Sequence, residues 1–418
     1  ATFGSPDVGR TDGQPGCHAL SLLPVLNSMS TAYHETPTTP RWQAWSLIAA
    51  FTLLTLALIA GSLQALRTDG FTKTQANGWA NFWHGAPMRA LSDDLRGTPV
   101  ADWLGTRQRE LGWLLLKDLG PRVKPGCEGW LFLGDELTVH ANGAAHATRR
   151  ADIAKTLIDG LAARGTHVVV AVTPDKTRIE SNRLCALRRP AALDARLPAW
   201  SEAMAARALP AVALDAPLQQ VKAQLGGEGG AYDRTDTHWS LDGAQAAAQA
   251  IAAYLRSQGF TPSPEVGFTV TRAPVAPRWG DLVRLAGLDQ LPPHLRPAPD
   301  QVALPKFEAS TPVAQATSAD ALFGDGPAAQ RIGLVGSSYS RNAHFADWLA
   351  HALRSDVGNL ARDGGGFAQS MLDFLKQEAR SDAPTAWLIW EIPERVLQDP
   401  IGADEEALLT QLKALQAR

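Results

Sequence analysis

The longest apolar run in the chain is WQAWSLIAAFTLLTLALIAGSLQAL, residues 42–66, and it contains no charged residue. At about 1.5 Å per residue a helix of this length exceeds the roughly 30 Å of a bilayer's hydrocarbon core. Trp42 and Trp45 fall where an interfacial aromatic belt would lie. A cleavable secretory signal would have a shorter apolar core and a small-residue cleavage site. Leu66-Arg67-Thr68-Asp69 offers no such site, so the pattern predicts an uncleaved transmembrane anchor over 42–66. Arg41 on one side is balanced by Arg67 and Lys73 on the other, so charge does not orient it.

Residues 1–41 are rich in Gly, Pro, Ser and Thr, carry little apolar periodicity, and read as a disordered tail. The chain does not begin with Met. Met29, just before STAYHETPTTPR, would be a natural start, so residues 1–28 are expected to be an over-extended gene start.

Beyond the anchor the pattern changes. Residues 74–119 read as helical. Within them VADWLGTRQRELGWLLLKDL spaces its apolar residues for a helix and stops at Gly120-Pro121. GWLFL (129–133) reads as a short strand. HVVVAVTP (167–174), a continuous β-branched run, reads as a strand buried on both faces, and it follows the helix-like IAKTLIDGLAARG. AVALD ends at Asp215, RIGLVGSSYS (331–340) is a strand running into a Gly/Ser turn, and TAWLIWEI (385–392) is a further buried strand. The Pro-rich 291–305 is expected to be a loop. Strands alternating with helices across 74–418 predict one α/β domain with a doubly wound, mostly parallel sheet flanked by helices.

Composition narrows the function classes. A net charge of −3 and a pI near 6.4 argue against nucleic-acid binding. Arg183, Arg188 and Arg189 form a local basic cluster, expected to be a solvated loop. There are 13 Trp against 4 Tyr, and most of the Trp are expected in the core. The three cysteines, Cys17, Cys127 and Cys185, have no zinc-like spacing. If the domain is exported, Cys127 and Cys185 are candidates for a disulfide; two buried free thiols are the alternative.

Two segments carry the chemistry. In YDRTDTHWSLDGAQAAAQAIAAYL, an extended DTHWS stretch ahead of an Ala-rich helix would project Asp236 and His238 to one side, where the carboxylate can orient the imidazole. Asp233 competes for that role. In RIGLVGSSYSRNAHF, a strand delivers a serine turn before the helix-like AHFADWLAHAL. That is a good place for a nucleophile with backbone N–H groups nearby. Ser337, Ser338 and Ser340 compete, and a helix-capping turn is the structural alternative. RDGGGFAQSMLDFL brings Gly364 and Gly365 ahead of another helix, either as N–H donors to substrate or as a plain turn.

The order GWLFL, PDK (174–176), DTHWS, GDL (280–282), GSSYS and GGG, spanning about residue 75 to the C-terminus, resembles the alginate O-acetyltransferase family of AlgJ- and AlgX-like proteins. The resemblance implies an SGNH hydrolase-like fold with a catalytic set of Ser338, His238 and Asp236. It places Asp and His ahead of Ser in the chain. Ser337 stands where relatives carry Thr or Asp. Tyr339, Trp239, Asn342, Gly364 and Gly365 become candidates for substrate or oxyanion contacts, with packing the favoured reading for Trp239 and Tyr339, and neither a metal nor a soluble cofactor is implied. With little chain after WEIPERVL, the single-domain, membrane-anchored type is expected.

The implied activity is O-acetylation of an exported polysaccharide such as alginate or cellulose through an acetyl-serine. The implied donor partner is a membrane-bound O-acyltransferase. The implied location is the bacterial inner membrane, single-pass, with the catalytic domain in the periplasm. The alternatives are a carbohydrate acetylesterase and a non-catalytic polysaccharide-binding subunit.

Overall fold

Side-chain alternation along three strands sets the layers. The strands belong to a computed structural model that describes residues 41–65, 92, 98–227, 229–310, 331–381 and 384–416. The expected disordered tail and the start at Met29 lie outside the described residues, as do Leu66 and most of 67–97. Taken by itself, the N-terminal unit carries an apolar helix over Arg41–Ala65, with Trp45–Leu63 long and apolar enough to cross a membrane.

In the other unit, β1 (Val123–Pro125) and β2 (Leu131–Leu133) pair antiparallel. Next come β3 (His167–Thr173) and β4 (Ala211–Ala213), then an insertion holding β5 (Gly267–Arg272), β6 (Ala276–Arg278), β7 (Asp300–Val302) and β8 (Pro305–Ser310). The chain returns through β9 (Ile332–Val335), β10 (Gly358–Asn359) and β11 (Trp387–Pro393). The central sheet runs β10-β9-β11-β3-β4, with all neighbours parallel.

Val169 and Ala171 of β3, Ile389 of β11 and Leu334 of β9 face one core, against the helices Leu241–Ser257 and Phe345–Leu353. Val168, Val170 and Val172, with Leu388, Trp390 and Ile392, face the other, against Gly143–Ala162, Gln369–Glu378 and Ala403–Gln416. This is the expected doubly wound arrangement, with successive strand residues pointing to opposite covered faces. The β3→β4 and β9→β10 connections run outward on opposite sides of β11. The crevice at their carboxyl ends is where such sheets place ligands.

Three expectations are corrected. The helix Pro99–Leu116 stops three residues short of Leu119, because Lys117 takes a left-handed φ of 55° and Asp118 N–H closes onto Gly112 O at 3.1 Å. The 291–305 loop contains β7, which pairs with β6 as an antiparallel ribbon, and opens β8, which pairs with β5. Arg189 is not part of a solvated loop: its guanidinium is buried on Asp175 (2.9 Å) and Glu394 (2.8 Å). Cys127 and Cys185 are bridged, with 5.3 Å between their Cα atoms and a 58-residue separation.

Candidate active site

Ser338 opens a short turn directly after β9. Its two rivals are occupied elsewhere. Ser337 Oγ and Ser340 Oγ both donate to Glu391 Oε2, at 2.8 and 3.1 Å, and both serines are buried. Glu391 sits inside the apolar β11, fully buried. Burial raises its carboxyl, opposed by these hydrogen bonds and by Thr173 Oγ1 at 2.9 Å. The anchored serines brace the turn and leave Ser338 half-exposed at the sheet edge.

Across the crevice, Tyr232 and Trp239 form an isolated antiparallel bridge, and residues 233–238 loop out between them. The loop is not the extended segment expected for DTHWS. Asp236 Oδ1 accepts its own i+2 backbone N–H, from His238, at 3.0 Å, which makes an Asx-type turn. The same oxygen lies 2.6 Å from His238 Nδ1, and His238 Nε2 lies 2.8 Å from Ser338 Oγ. With Nδ1–H held by the carboxylate, Nε2 is left to accept the serine proton.

Burial alone would raise the Asp236 carboxyl. The hydrogen bond and charge of His238, helped by Arg278, outweigh it and hold the group well below the usual range. Asp233, the competing acid, instead pairs with Arg278. Burial, partly offset by Arg278, pushes it up to about 7.

Sequence reasoning missed two residues that shape this loop. Asp281 accepts Thr237 N–H at 2.7 Å and donates its own N–H to Asp236 Oδ2 at 3.2 Å. Gly280 makes this approach feasible, since a Cβ there would come within 2.4 Å of Asp236 N and Thr235 O. Lys176 lies fully buried beneath the loop. Its ammonium donates to the carbonyls of Leu131 (2.7 Å), Asp233 (2.7 Å), Asp236 (2.8 Å) and Arg234 (3.1 Å). Burial lowers its pKa to about 8. PDK and GDL were legible as motifs, and an unmatched Lys or Asp in each was the available signal. Asp236, His238 and Asp281 place donor atoms within 4.8 Å of one another. Yet the 2.6 Å between Nδ1 and Oδ1 is shorter than the roughly 3.3 Å expected between two ligands of one tetrahedral ion. It is the spacing of a hydrogen bond.

The other candidates separate. Asn342 Nδ2 lies 2.8 Å from Ser338 O and 3.4 Å from His238 Nε2, at the edge of the site. Trp239 and Tyr339 are fully buried, their rings edge-to-face at 5.3 Å, so neither can stack on a sugar. Tyr339 instead donates to Thr237 O at 3.1 Å and braces the loop. Gly365 N–H is taken by Arg362 O at 2.9 Å, and its lack of a Cβ lets the turn lie against Gly336 O, so it is a packing glycine and its amide is not offered to substrate. Gly364 is exposed in a left-handed turn with φ of 66°.

A parallel α/β sheet whose edge presents a serine to a His–Asp pair on a facing loop defines an SGNH-type acyl-transfer or ester-cleaving protein. Residues 123–394 match the family model of the SGNH hydrolase-like domain of acetyltransferase AlgX, and the chain belongs to that family. It is 35% identical to a probable alginate O-acetylase AlgJ of Pseudomonas syringae pv. tomato over 309 residues, 72% of this chain and 76% of the relative. It is 32% identical to the Pseudomonas putida counterpart over 375 residues, 88% and 94% of the two chains. The solved O-acetyltransferase domain of Pseudomonas putida AlgJ superposes with a TM-score of 0.59 at 30% identity, over 71% of this chain and 100% of that one.

Proposed function

We propose that this chain O-acetylates hydroxyls of an exported polysaccharide through an acetyl-Ser338 intermediate. The observation that carries the reading is the continuous relay Ser338 Oγ–His238–Asp236, at 2.8 and 2.6 Å. Relatives named as probable alginate O-acetylases, alike over most of their length, support the reaction class.

In the first step His238 Nε2 takes the Ser338 proton as Oγ attacks the acetyl carbonyl, and the donor's leaving group departs with that proton. Asp236 stabilises the imidazolium formed between the two transfers. The Ser338 backbone N–H and the Asn342 carboxamide are the donors proposed for the oxyanion. In the second step Nε2 deprotonates a sugar hydroxyl, which attacks the acetyl-serine; the proton then returns to Ser338 Oγ. The acetyl donor is proposed to be supplied by a membrane-bound O-acyltransferase. The Trp45–Leu63 helix is proposed to tether the chain in the inner membrane with its catalytic domain in the periplasm.

In cells carrying Ser338→Ala, the secreted polymer should lose its acetyl groups while the protein keeps its melting temperature. Full acetylation in that strain would sink the assignment. Release of free acetate, with none on the glycan, would mark an esterase. Failure of the wild-type serine to take a phosphonate label would mark a non-catalytic subunit.

A further inference from the structure

The strand β11 runs out through WEIPER, residues 390–395, and two of its three charged side chains have partners already described. Glu391 anchors Ser337 and Ser340. Glu394 takes Arg178 at 2.6 Å and Arg189 at 2.8 Å. Arg395, the third, is placed differently. The buried arginines Arg150 and Arg196 meet Glu405 at 2.6 Å and Asp175 at 3.1 Å. Arg395 forms no ion pair among the described residues, and its Nη1 is buried without a hydrogen-bond partner. The guanidinium lies over the ring of Tyr339 instead, with Cζ 5.6 Å from the ring centroid. Burial alone would lower its pKa, but Tyr339, Glu136 and Asp175 nearby more than offset that. A desolvated cation is attracted to the face of a phenol ring, and the attraction strengthens as water is excluded.

Tyr339 is the one side chain that joins the two halves of the site. It follows Ser338 directly in the nucleophile turn. Its hydroxyl donates to Thr237 O at 3.1 Å, one residue before His238. Its ring meets the His238 imidazole edge-to-face at 5.1 Å. The position of Tyr339 therefore helps to set the 2.8 Å between His238 Nε2 and Ser338 Oγ. A positive charge beside the phenol also polarises its O–H toward the Thr237 carbonyl. In keeping with this, burial raises the Tyr339 pKa while Arg395 opposes the rise.

We propose that Arg395 is a positioning residue for acyl transfer: lying over the Tyr339 ring, it holds the hydroxyl on Thr237 O and keeps the Ser338 turn and the His238 loop in register. That Ser338 is the group so placed for attack rests on the acetyl-transfer reading; the hold on Tyr339 and Thr237 does not.

The test uses the full chain in uncharged detergent micelles, with p-nitrophenyl acetate to acylate Ser338. Arg395→Met should lower kcat about tenfold and leave KM nearly unchanged, since geometry and not binding is lost. Tyr339→Phe should cost about as much, and the double variant should be no slower than the slower single one, because both act through one contact. Arg395→Lys keeps the charge but not the planar group, and should recover part of the rate. The second readout is the NMR spectrum of isotope-labelled histidine. Arg395→Met and Tyr339→Phe should move the His238 ring signals in the same sense, and the double variant should move them no further. A wild-type rate with unmoved His238 signals, in whichever of the two arginine variants fold, would overturn the proposal and leave Arg395 a residue of stability alone. Losses that multiply in the double variant would also overturn it, because Arg395 would then act by a route other than Tyr339. Should wild-type Ser338 take no acetyl group while the His238 signals move as described, the hold on Tyr339 stands and the acetyl-transfer reading falls.

Discussion

The central sheet and the 233–238 loop are both buried, but different forces hold them. The sheet is fixed by apolar side chains alternating between two cores, with β11 clasped between β3 and β9. Burial of this kind is additive and tolerant in detail. The loop is fixed by a few polar groups drawn from distant segments: Lys176 beneath it, Asp281 beside it and Tyr339 behind it. Each of these buried groups is costly if left alone, and each fixes a position. The sheet should therefore lose stability when damaged and keep its chemistry. Damage to the loop should cost less stability than damage to the sheet and far more chemistry.

The largest effect on stability should come from the sheet side. Leu157→Ala removes a fully buried side chain from the core behind β3, far in sequence from either half of the site. It should cost about 4 kcal/mol in denaturant unfolding. Acetyl transfer per folded molecule should stay near the wild-type rate. A matching loss of activity at temperatures well below the melting point would break the comparison.

Lys176→Met should come next. It keeps the stem and removes the ammonium, which leaves the carbonyls of Leu131, Asp233, Arg234 and Asp236 without that donor. Part of the loss is offset because a buried charge is itself costly, so the net change should be about 2–3 kcal/mol. Its kinetic effect should be larger than that of Leu157→Ala. Misplacing Asp236 and His238 by about 1 Å costs on the order of a hundredfold in rate. A variant that melts early yet transfers acetyl groups normally would show that Lys176 serves only stability.

The same contrast explains what was legible in the sequence. β3, β9 and β11 announce themselves because apolar runs bounded by turns are a local signal. Asp236 and His238 were legible as a pair; the local pattern alone left Ser338 as one of three serines, and motif order with the family resemblance singled it out. What separates Ser338 from Ser337 and Ser340 is Glu391, more than 50 positions away, and no local rule predicts that contact. Asp281 and Lys176 were hidden for the same reason: their roles exist only once the insertion and β2 have folded against the loop. Trp239 and Tyr339 were read from their apolar rings. Their place beside the motif residues made them candidates for ligand contact, but packing was the favoured reading, and folding does spend both rings on packing.

The smallest effect isolates one polar support without removing it. In Asp281→Asn the side-chain oxygen can still accept Thr237 N–H and the backbone N–H can still reach Asp236. Only the charge is lost. Burial first, and then the neighbouring Asp236, raises the Asp281 carboxyl above its ordinary value. A raised acid binds its proton more tightly in the folded state. Over the window between the unfolded value near 3.9 and the raised folded value, the unfolded chain is ionised and the folded one still protonated, so wild-type stability falls as pH rises. Other buried acids, Asp233 and Glu391 among them, slope the same way. The informative quantity is therefore the difference between wild type and variant. That difference should be flat below about pH 3.5 and should move in favour of Asn as pH rises, by on the order of 1 kcal/mol, the size of one hydrogen bond. A difference that moves in favour of Asp281 would mean that its ionised form supports the loop. The carboxylate would then be an electrostatic partner of His238 as well as a brace for Thr237.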